Sequence, residues 1–306
     1  MHDLIIIGSG PAGMTAAIYA ARKKINTLIV SKELIGQVGK TVLIENYPGF
    51  SEISGIDFIL KLKKQAEKSG AKIKDGQEVK KISKNDNGFF DVELEKETLK
   101  AKAIIIATGR NPKKLNIPGE KEFFNKGVSY CVTCDGPLFL GKEVAVVGGG
   151  NSGFYAAFEL SKYCPKIYIF ESGLEVLADK IEQERAMATK KVELFKNVSV
   201  KEIKGDKFVR GLVFEDKESG EQKEIAVEGV FIEIGYVAVT DFAKDLISLN
   251  EKGEIIIDPK TLATNVEGIF AAGDVTDIKV KQMVVAAGEG AKAALSVFDY
   301  LNKITY

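Results

Sequence analysis

The chain contains the same local pattern twice: a short apolar run, a glycine-rich loop and a helix-compatible segment. The first copy runs from residues 3–7 into Gly8-Ser-Gly10-Pro11-Ala12-Gly13. The second runs from residues 143–147 into Gly148-Gly-Gly150-Asn151-Ser152-Gly153, 140 residues further on. Two such loops, each between a predicted strand and a predicted helix, are far more specific than one. The chain is therefore predicted to fold as two related α/β units.

Each loop has glycine at the three positions that a dinucleotide-binding turn needs. The first glycine permits the tight turn, the second lets the backbone approach a pyrophosphate, and the third lets the helix pack on the strand. The phosphates then lie at the helix N-terminus, where unpaired N–H groups and the helix dipole favour anions. A lone loop of this kind can be a fortuitous turn, but the repetition favours two dinucleotide sites.

The two copies differ in the residue that follows the second strand of each pattern. A dinucleotide-binding fold commonly has an acidic residue there, which binds a ribose hydroxyl. In the first copy the apolar run 27–30 is followed by Ser31, with Glu33 two residues on. In the second copy Glu171 ends the strand predicted at 166–170, 18 residues after Gly153. The acid supports the second loop as a dinucleotide site, although a solvated strand end is the alternative for Glu171.

Cys131-Val-Thr-Cys134-Asp135 places two thiols two residues apart beside an acid. Such a pair can close a small disulfide ring and act as a two-electron switch. A zinc site needs four ligands, and the other candidates, Cys164 and His2, stand at unrelated spacings. Two buried structural thiols are the other alternative. The pattern favours a redox pair, and no metal site is expected.

The overall composition of the 306 residues excludes several classes of partner. Lysine and arginine number 43, as do aspartate and glutamate, so no charge excess attracts nucleic acid or an anionic membrane. No apolar run approaches the roughly 18 residues of a membrane span, and the N-terminus lacks the features of a signal peptide. Three cysteines, an odd number, fit a reducing compartment better than a disulfide scaffold, which predicts a cytoplasmic protein.

Hydrophobic periodicity predicts the remaining elements. An amphipathic helix is expected at 55–70, and alternating segments at 71–100 and 198–233 predict antiparallel strands. Apolar runs at 103–109 and 268–273 predict buried strands, and a last helix is expected at about 281–302, with Gln282 at its start.

Taken together, these motifs resemble the low-molecular-weight thioredoxin reductases, in the same order and over nearly the whole chain. The last 40 or so residues and the strand end at Phe170-Glu171 are closer still to the flavoprotein subunit of alkyl hydroperoxide reductase. The resemblance implies an α/β fold with two Rossmann-like, three-layer ββα nucleotide-binding domains. An FAD domain at 1–115 and 246–306 would hold an inserted NAD(P)H domain at 116–245 that carries the redox pair. The motifs are Gly8–Gly13, Glu45-Asn-Tyr-Pro-Gly49, Ala107-Thr-Gly109, Cys131–Asp135, Gly148–Gly153 and Gly273-Asp274.

The same resemblance implies a role for each site residue. Cys134 would face the flavin and Cys131 the protein substrate, while Asp135 would exchange a proton with the thiolate. Rotation of the inserted domain would alternate the two reactions at one flavin, as in hinge-type gating. A plain turn is the alternative for Asp135 and for Gly273-Asp274. The implied FAD contacts are Gly8, Gly10, Pro11, Ala12, Gly13, Gln37, Asn46, Ala107, Thr108, Gly109, Gly273, Asp274, Lys281 and Gln282; the implied NADH contacts are Gly148, Gly150, Asn151, Ser152, Gly153 and Glu171.

The departures from the family pattern concern the electron donor and the surroundings of the flavin. NADPH-dependent members carry an arginine cluster after the second strand, which residues 170–176 lack. A carboxylate at Glu171 would accept from a 2′-hydroxyl and repel a 2′-phosphate, so NADH is predicted over NADPH. Ile35 replaces a usual glycine, and Ala238-Val239 replace a usual Pro-Asn.

The resemblance thus predicts an NADH-dependent disulfide reductase that acts on a thioredoxin- or glutaredoxin-like protein and forms a homodimer. Four alternatives stay open at this stage: NADPH as the donor, reduced ferredoxin as the donor, an NADH:flavin or ferredoxin-type oxidoreductase in which the cysteines are idle, and a non-catalytic FAD-binding redox sensor.

Overall fold

The computed structural model describes residues 1–41, 43–85 and 87–305. The chain divides into two compact units, one of residues 1–111 with 237–306 and the other of residues 112–236. The changeovers lie at 111/112 and 236/237, where the prediction had them at 115/116 and 245/246. The assignment of FAD to the first unit and of the nicotinamide to the second stays a prediction.

The first unit is built on a seven-stranded sheet within the described residues. Its strands are β1 His2–Ile7, β2 Thr27–Val30, β3 Lys72–Lys74, β4 Lys81–Lys84, β5 Phe90–Glu93, β6 Thr98–Ile106 and β17 Ile269–Ala271. They lie in the order β3-β2-β1-β6-β5-β4, with β17 paired to β6. Strand β1 is parallel to both of its neighbours, so Leu4 pairs with Thr27 on one side and with Ala103 on the other. These central strands are apolar because both faces of a parallel sheet are covered.

In the part of the first unit that the structure describes, three segments are α-helical: α1 Pro11–Arg22, α2 Gly55–Ser69 and α6 Met283–Thr305. Helices α1 and α6 approach closely, since a Cβ at Gly290 would lie 2.1 Å from the Ala12 carbonyl oxygen. Ser54 caps α2 by accepting from Asp57 N over 3.1 Å, and Gly70 ends it in the left-handed region at φ 106°. The helix predicted at 55–70 is confirmed within one residue.

Two sequence predictions for the first unit are corrected. Residues 71–100 do not form one antiparallel meander, because β3 pairs parallel with β2 and only β4, β5 and β6 are antiparallel neighbours. The last helix begins at Met283, so Gln282 lies just before it.

The second unit contains a five-stranded parallel sheet and a three-stranded antiparallel sheet within the described residues. The elements are β8 Val128–Ser129, α3 Val132–Asp135, β9 Val144–Val147, α4 Asn151–Leu160, β10 Ile167–Phe170, α5 Lys180–Ala188, β11 Val192–Phe195, β12 Val198–Gly205, β13 Val209–Asp216, β14 Gln222–Ala226 and β15 Gly229–Ile232. The parallel sheet has the order β11-β10-β9-β15-β8 and the antiparallel sheet the order β12-β13-β14. The core comprises two apolar clusters, one centred on Phe154 and Phe231 and the other on Phe170 and Phe214.

Short strands β7 Arg110–Pro112 and β16 Tyr236–Ala238 occupy the two changeovers between the units. The mixed α/β architecture with parallel sheets confirms the predicted fold class. Among the described residues, no helix combines the length and apolar character needed to cross a bilayer.

Candidate active site

The first glycine loop follows β1 and begins α1. A Cβ at Gly13 would lie 2.0 Å from the Gly8 carbonyl oxygen, so only glycine lets the helix pack this closely. No described atom lies within 4 Å of a Cβ built at Gly10, and no described side chain caps α1 there. The loop therefore combines one crowded glycine with one open glycine beside unpaired N–H groups. Pro11 is the first helical residue, where a missing N–H costs nothing.

Two other predicted segments lie against this loop. A Cβ at Gly8 would lie 2.3 Å from the Ala107 carbonyl oxygen, and one at Gly273 would lie 3.0 Å from the Ala12 side chain. The structure therefore brings the loop, residues 107–109 and residues 273–274 together.

The turn at 108–109 is held by residues 238–239. Thr108 Oγ1 donates to the Val239 carbonyl over 2.7 Å, and Val239 N donates to the Gly109 carbonyl over 3.1 Å. Both bonds use main-chain atoms of Val239. They therefore do not depend on which side chain stands at this position, where the family usually has Pro-Asn.

Asp274 and Lys281 belong to a charged cluster within the first unit. Asp274 Oδ2 lies 3.4 Å from Arg110 Nε, and Lys281 Nζ lies 3.1 Å from Glu254 Oε1 and 3.3 Å from the Asp274 carbonyl. Burial raises the pKa of Asp274, against the opposing effect of Arg110 and Lys281. Lys281 thus holds the turn after β17. Sequence reasoning missed Glu254, which has no motif around it.

Gln37, Asn46 and Gln282 lie on irregular segments. Gln37 Nε2 donates to Asn111 Oδ1 over 2.7 Å, and Asn46 Nδ2 lies 3.5 Å from Gln282 Oε1. The structure therefore brings the predicted Asn46 and Gln282 to one place, just before the N-terminus of α6. Ile35 packs on Gly39, where a Cβ would lie 1.9 Å from the Ile35 side chain.

Glu289 is a buried carboxyl on α6 that the sequence did not single out. Its Oε2 accepts from Gly273 N over 2.6 Å, and the residue is 8% exposed. Burial raises the pKa of this carboxyl, while the bond from Gly273 opposes the rise. The side chain fixes the backbone at the end of β17, one residue before Asp274.

Ser31 does not reach out from its strand end as an acid would. Its Oγ lies 2.6 Å from Ser9 Oγ, and both residues are buried. The Ser9 hydroxyl also lies 3.1 Å from the Leu34 carbonyl. The second unit has an acid at this position, whereas the first unit has a buried serine that bonds to another buried serine.

The second glycine loop repeats the geometry of the first. A Cβ at Gly153 would lie 1.8 Å from the Gly148 carbonyl oxygen, while a Cβ at Gly150 would meet no described atom within 4 Å. No described side chain caps α4 at Gly150. The N-terminus of α4 therefore offers N–H groups to an anion as well.

Glu171 leaves the end of β10 and turns toward this loop. Its Oε2 accepts from Gly149 N over 2.7 Å, and its Oε1 accepts from Gly173 N over 2.6 Å. Each carboxylate oxygen is thus fixed by one backbone donor and keeps further lone pairs for another donor. A cation also lies nearby, because Lys217 Nζ donates to the Ser172 carbonyl over 2.6 Å. Lys217 lies beyond β13, far along the chain, so sequence reasoning missed it.

Asn151 and Ser152 form the exposed first turn of α4. Asn151 exchanges two hydrogen bonds with Asp179: its Nδ2 donates to Oδ2 over 3.0 Å, and its Oδ1 accepts from Asp179 N over 2.7 Å. Asn151 therefore anchors the start of α5 beside the loop. The structure gives Ser152 an exposed position and shows no further role for it.

The cysteine pair lies at the start of α3, directly after β8. Cys131 and Cys134 form a disulfide with a Cα–Cα distance of 5.3 Å. Cys131 is the N-cap residue of α3, and its Sγ accepts from Cys134 N over 3.2 Å. Cys164 is separate: it is fully buried, its Sγ contacts the Phe139 carbonyl at 3.4 Å, and burial raises its pKa to about 11. Cys164 is therefore a core thiol.

Asp135 ends α3 and contacts a buried hydroxyl. Ser129 Oγ donates to Asp135 Oδ2 over 2.6 Å and accepts from Cys131 N over 3.0 Å. Burial raises the pKa of Asp135, and the bond from Ser129 opposes that rise. A carboxyl with a raised pKa can act as both a proton donor and a proton acceptor in catalysis. Sequence reasoning missed Ser129, and its signal was a polar residue in an otherwise apolar strand.

Comparison with known proteins gives a consistent result across the chain. The pyridine nucleotide-disulphide oxidoreductase family profile matches residues 2–290. A Bacillus subtilis protein named NADH dehydrogenase is 43% identical over 300 residues, which cover 98% of this chain and 58% of that protein. An alkyl hydroperoxide reductase subunit from Staphylococcus aureus is 43% identical over 301 residues, which cover 98% of this chain and 59% of that protein. The chain therefore spans about three fifths of the length of these relatives.

Solved structures match over their full length. Thioredoxin reductase from Streptococcus pyogenes superposes with a TM-score of 0.93 at 39% identity, covering 99% of both chains. Thioredoxin reductase from Giardia duodenalis gives a TM-score of 0.91 at 34% identity, covering 98% of this chain and 99% of that one. These matches confirm the resemblance that the motifs carried.

Proposed function

The chain belongs to the pyridine nucleotide-disulphide oxidoreductase family, and we propose that it transfers electrons from NADH through FAD and the Cys131/Cys134 pair to a protein disulfide. The family is FAD-dependent and uses a pyridine nucleotide, and the chain is similar to thioredoxin reductases over nearly its whole length. The choice of NADH, the identity of the acceptor and the role of each site residue are proposals.

One observation carries this function. The Cys131–Cys134 disulfide is followed directly by Asp135, whose carboxyl is half-buried and hydrogen-bonded, in the same unit as the open Gly150 loop. A non-catalytic sensor would need the disulfide and a cofactor site but no acid with a raised pKa beside the thiols. The combination supports turnover.

The glycine loop of the first unit supports the proposed binding of the FAD pyrophosphate there. The open position at Gly10, the uncapped start of α1 and the adjoining turns at 107–109 and 273–274 form a backbone cradle with donors and little side-chain bulk. FAD, when bound, supplies a two-electron carrier between the nicotinamide and the disulfide. Glu289 and Lys281 would keep the 273–274 turn in place, and Asn46 with Gln282 would present amide groups to the ring.

The second unit favours NADH through Glu171. Its carboxylate is held at the end of β10 by two backbone donors, so the orientation of the side chain is fixed. A ribose 2′-hydroxyl can donate to it, while a 2′-phosphate would meet a like charge. The name of the Bacillus subtilis relative agrees with this choice.

At the redox pair, we propose that Asp135 accepts the proton of the attacking thiol. When Cys131 and Cys134 are reduced, two electrons and two protons enter the pair, and one thiol must deprotonate before it attacks the acceptor disulfide. Asp135 would take that proton while Cys131 bonds to one acceptor sulfur, and would give it to the acceptor thiolate that leaves as the acceptor S–S bond breaks. The Cys134 sulfur would then displace the second acceptor thiolate, which takes the Cys134 proton, as the Cys131–Cys134 bond forms again. Cys131 would attack the acceptor, and Cys134 would face the flavin.

The acceptor is proposed to be a thioredoxin- or glutaredoxin-like protein, and the working form a homodimer in the cytoplasm. The thioredoxin reductase neighbours support an acceptor of this type. The Staphylococcus aureus relative is named as part of a hydroperoxide reductase, which supports a protein adaptor of the same disulfide chemistry as the acceptor.

Anaerobic titration of the purified yellow protein with NADH, and separately with NADPH, tests the proposal. Rapid flavin bleaching by NADH that needs about two equivalents would show that both FAD and the disulfide accept electrons, since each takes one pair. Cys134→Ser is the matched variant and should bleach with about one equivalent and lose protein-disulfide turnover.

Each contrary result points to a different failure. Bleaching by NADPH alone would overturn the role of Glu171. Full protein-disulfide turnover in Cys134→Ser would overturn the role of the pair. Bleaching by neither nucleotide would contradict the proposed donor and favour ferredoxin or a sensor.

A further inference from the structure

A continuous series of hydrogen bonds passes through one peptide group to the carboxyl of Asp135. The Tyr236 hydroxyl donates to the Tyr130 carbonyl oxygen. The N–H of the same peptide group, at Cys131, donates to Ser129 Oγ over 3.0 Å, and the Ser129 hydroxyl donates to Asp135 Oδ2 over 2.6 Å. All of these residues lie in the second unit. Each inner member accepts from one neighbour and donates to the next.

The direction of these bonds gives them a common effect. Hydrogen bonds aligned donor to acceptor polarise one another, and the effect is larger where the dielectric constant is low. Ser129 is only 3% exposed, so bulk water competes little for its hydroxyl. Its backbone is fixed as well, because β8 pairs with β15 through Ser129 and Phe231. The last bond in the series therefore has a set direction.

The Tyr130 side chain is held by a separate set of bonds. Its hydroxyl donates to Glu120 Oε1 over 2.7 Å, and the Glu120 carboxylate also accepts from Leu115 N and Asn116 N. The series thus uses the backbone of Tyr130 and leaves its phenol out. This separation provides a matched control, since the phenol can be removed without breaking the series.

We propose that Ser129 and Tyr236 are positioning residues of the redox site, which orient the carboxyl of Asp135 beside the cysteine pair and stabilise its ionised form. The inference rests on the proposed function for its use in turnover. A hydrogen bond donated to a carboxylate favours the charged form, whereas burial favours the neutral form. Ser129 sets the balance between the two, and Tyr236 strengthens Ser129 through the peptide group.

Few other groups act on this carboxyl. Its pKa is raised by burial and lowered by Ser129, with no charged side chain contributing among the described residues. The titratable groups next to it are the thiols of Cys131 and Cys134 after reduction. From the turn after α4, the Tyr163 ring lies 3.6 Å from a Cβ built at Gly136, the residue that follows Asp135. Working with the oxidised protein removes both thiols from the titration.

Carbon-13 NMR of the oxidised, FAD-containing full chain, labelled at the aspartate carboxyl carbon, tests the proposal. The Asp135 resonance is the one that disappears in Asp135→Asn. Ser129→Ala should move its titration midpoint upward by about one pH unit, since a hydrogen bond to a charged group is lost. Tyr236→Phe should move the midpoint in the same direction by roughly a fifth of that amount. Ser129→Thr keeps the hydroxyl and should restore the native midpoint.

The control is Tyr130→Phe, which removes the bond to Glu120 and should leave the midpoint unchanged. An unchanged midpoint in Ser129→Ala, or an equal shift in Tyr130→Phe and Tyr236→Phe, would overturn the proposal. If Ser129→Ala does not fold, the comparison of Tyr236→Phe with Tyr130→Phe decides the matter. The titration uses no electron donor, so a failure of NADH bleaching would refute the proposed function and leave this result standing.

Discussion

Replacing Glu171 by glutamine should reverse much of the nucleotide preference. The native carboxylate accepts from Gly149 N over 2.7 Å with one oxygen and from Gly173 N over 2.6 Å with the other. Glutamine has a single acceptor oxygen, so one of these backbone donors would face an NH₂ group. The substitution keeps the size of the side chain and removes its charge, which isolates the electrostatic contribution.

The magnitude follows from the bonds that change. A hydrogen bond to a charged group contributes about 1.5–3 kcal/mol and a neutral one about 1 kcal/mol, so the bond to the ribose hydroxyl weakens by roughly 1 kcal/mol. The glutamine side chain also loses one of the two backbone hydrogen bonds that hold it in place, which weakens NADH binding by a similar amount. At about 1.4 kcal/mol for each factor of ten, KM for NADH should rise about 10- to 30-fold. Relief of the like-charge contact, about 1 kcal/mol per charge pair at 4 Å in water, should improve NADPH about fivefold or more.

Steady-state flavin reduction with each nucleotide measures this change as a ratio of kcat/KM values. We expect the NADH-to-NADPH ratio to fall by about 100-fold in Glu171→Gln. Glu175→Gln is the matched control, because Glu175 is an exposed glutamate in the same loop, and its ratio should stay within about twofold of the native value. If the ratio in Glu171→Gln equals the native ratio, Glu171 does not contact the ribose and the reasoning fails.

The same geometry gives four further predictions. Gly153→Ala should lower the free energy of unfolding by about 1–3 kcal/mol in thermal denaturation, because its Cβ would overlap the facing carbonyl. Gly150→Ala should keep native stability and raise KM for NADH at least about tenfold, since its Cβ would enter the open space of the loop. Lys281→Met should destabilise the protein by about 3 kcal/mol and release FAD, because Glu254 would lose its buried partner. Burial raises the pKa of Glu289, so the folded state binds this proton more tightly and the free energy of unfolding falls as pH rises from the ordinary glutamate range through the raised pKa. Glu289→Gln should remove this contribution to the decline of the melting temperature with rising pH.

The controls for these predictions are matched in residue type. An exposed glycine such as Gly220 is no control for the two glycine substitutions, because its positive φ would itself strain an alanine. Gly150→Ala and Gly153→Ala therefore serve as controls for each other. Glu251→Gln changes an exposed glutamate and should leave the pH dependence of melting unchanged. Equal stability of Gly150→Ala and Gly153→Ala, full FAD retention in Lys281→Met, or a native pH dependence in Glu289→Gln would each contradict the corresponding argument.

Local patterns were enough to predict the parts of the site that depend on consecutive residues. The two glycine loops, the cysteine pair and the acid after β10 each occupy one short stretch, and their backbone geometry follows from the residue types in that stretch. The strand at 27–30 was predicted residue for residue, because its apolar run ends sharply at Ser31.

The parts that were not predicted depend on contacts between distant residues. Glu254 meets Lys281, and Lys217 meets Ser172, only after the chain has folded. Strand β3 was assigned to a meander because its three residues alternate, yet its pairing with β2 is set by α2, which returns the chain to the same sheet edge. A periodicity of two identifies a strand but does not determine which other strand it pairs with.

The two glycine loops share one backbone arrangement, although two different cofactors are proposed for them. Both units place a crowded third glycine and an open second glycine between a parallel strand and an uncapped helix. They differ at the end of the next strand, where the first unit has Ser31 bonded to Ser9 and the second has Glu171 bonded to Gly149. Under the proposed function, the backbone would provide the phosphate site in each unit, and the residue at this position would determine whether a charged group is available to bind the ribose. On this argument, nucleotide choice in the second unit can be changed at Glu171 without disturbing the first.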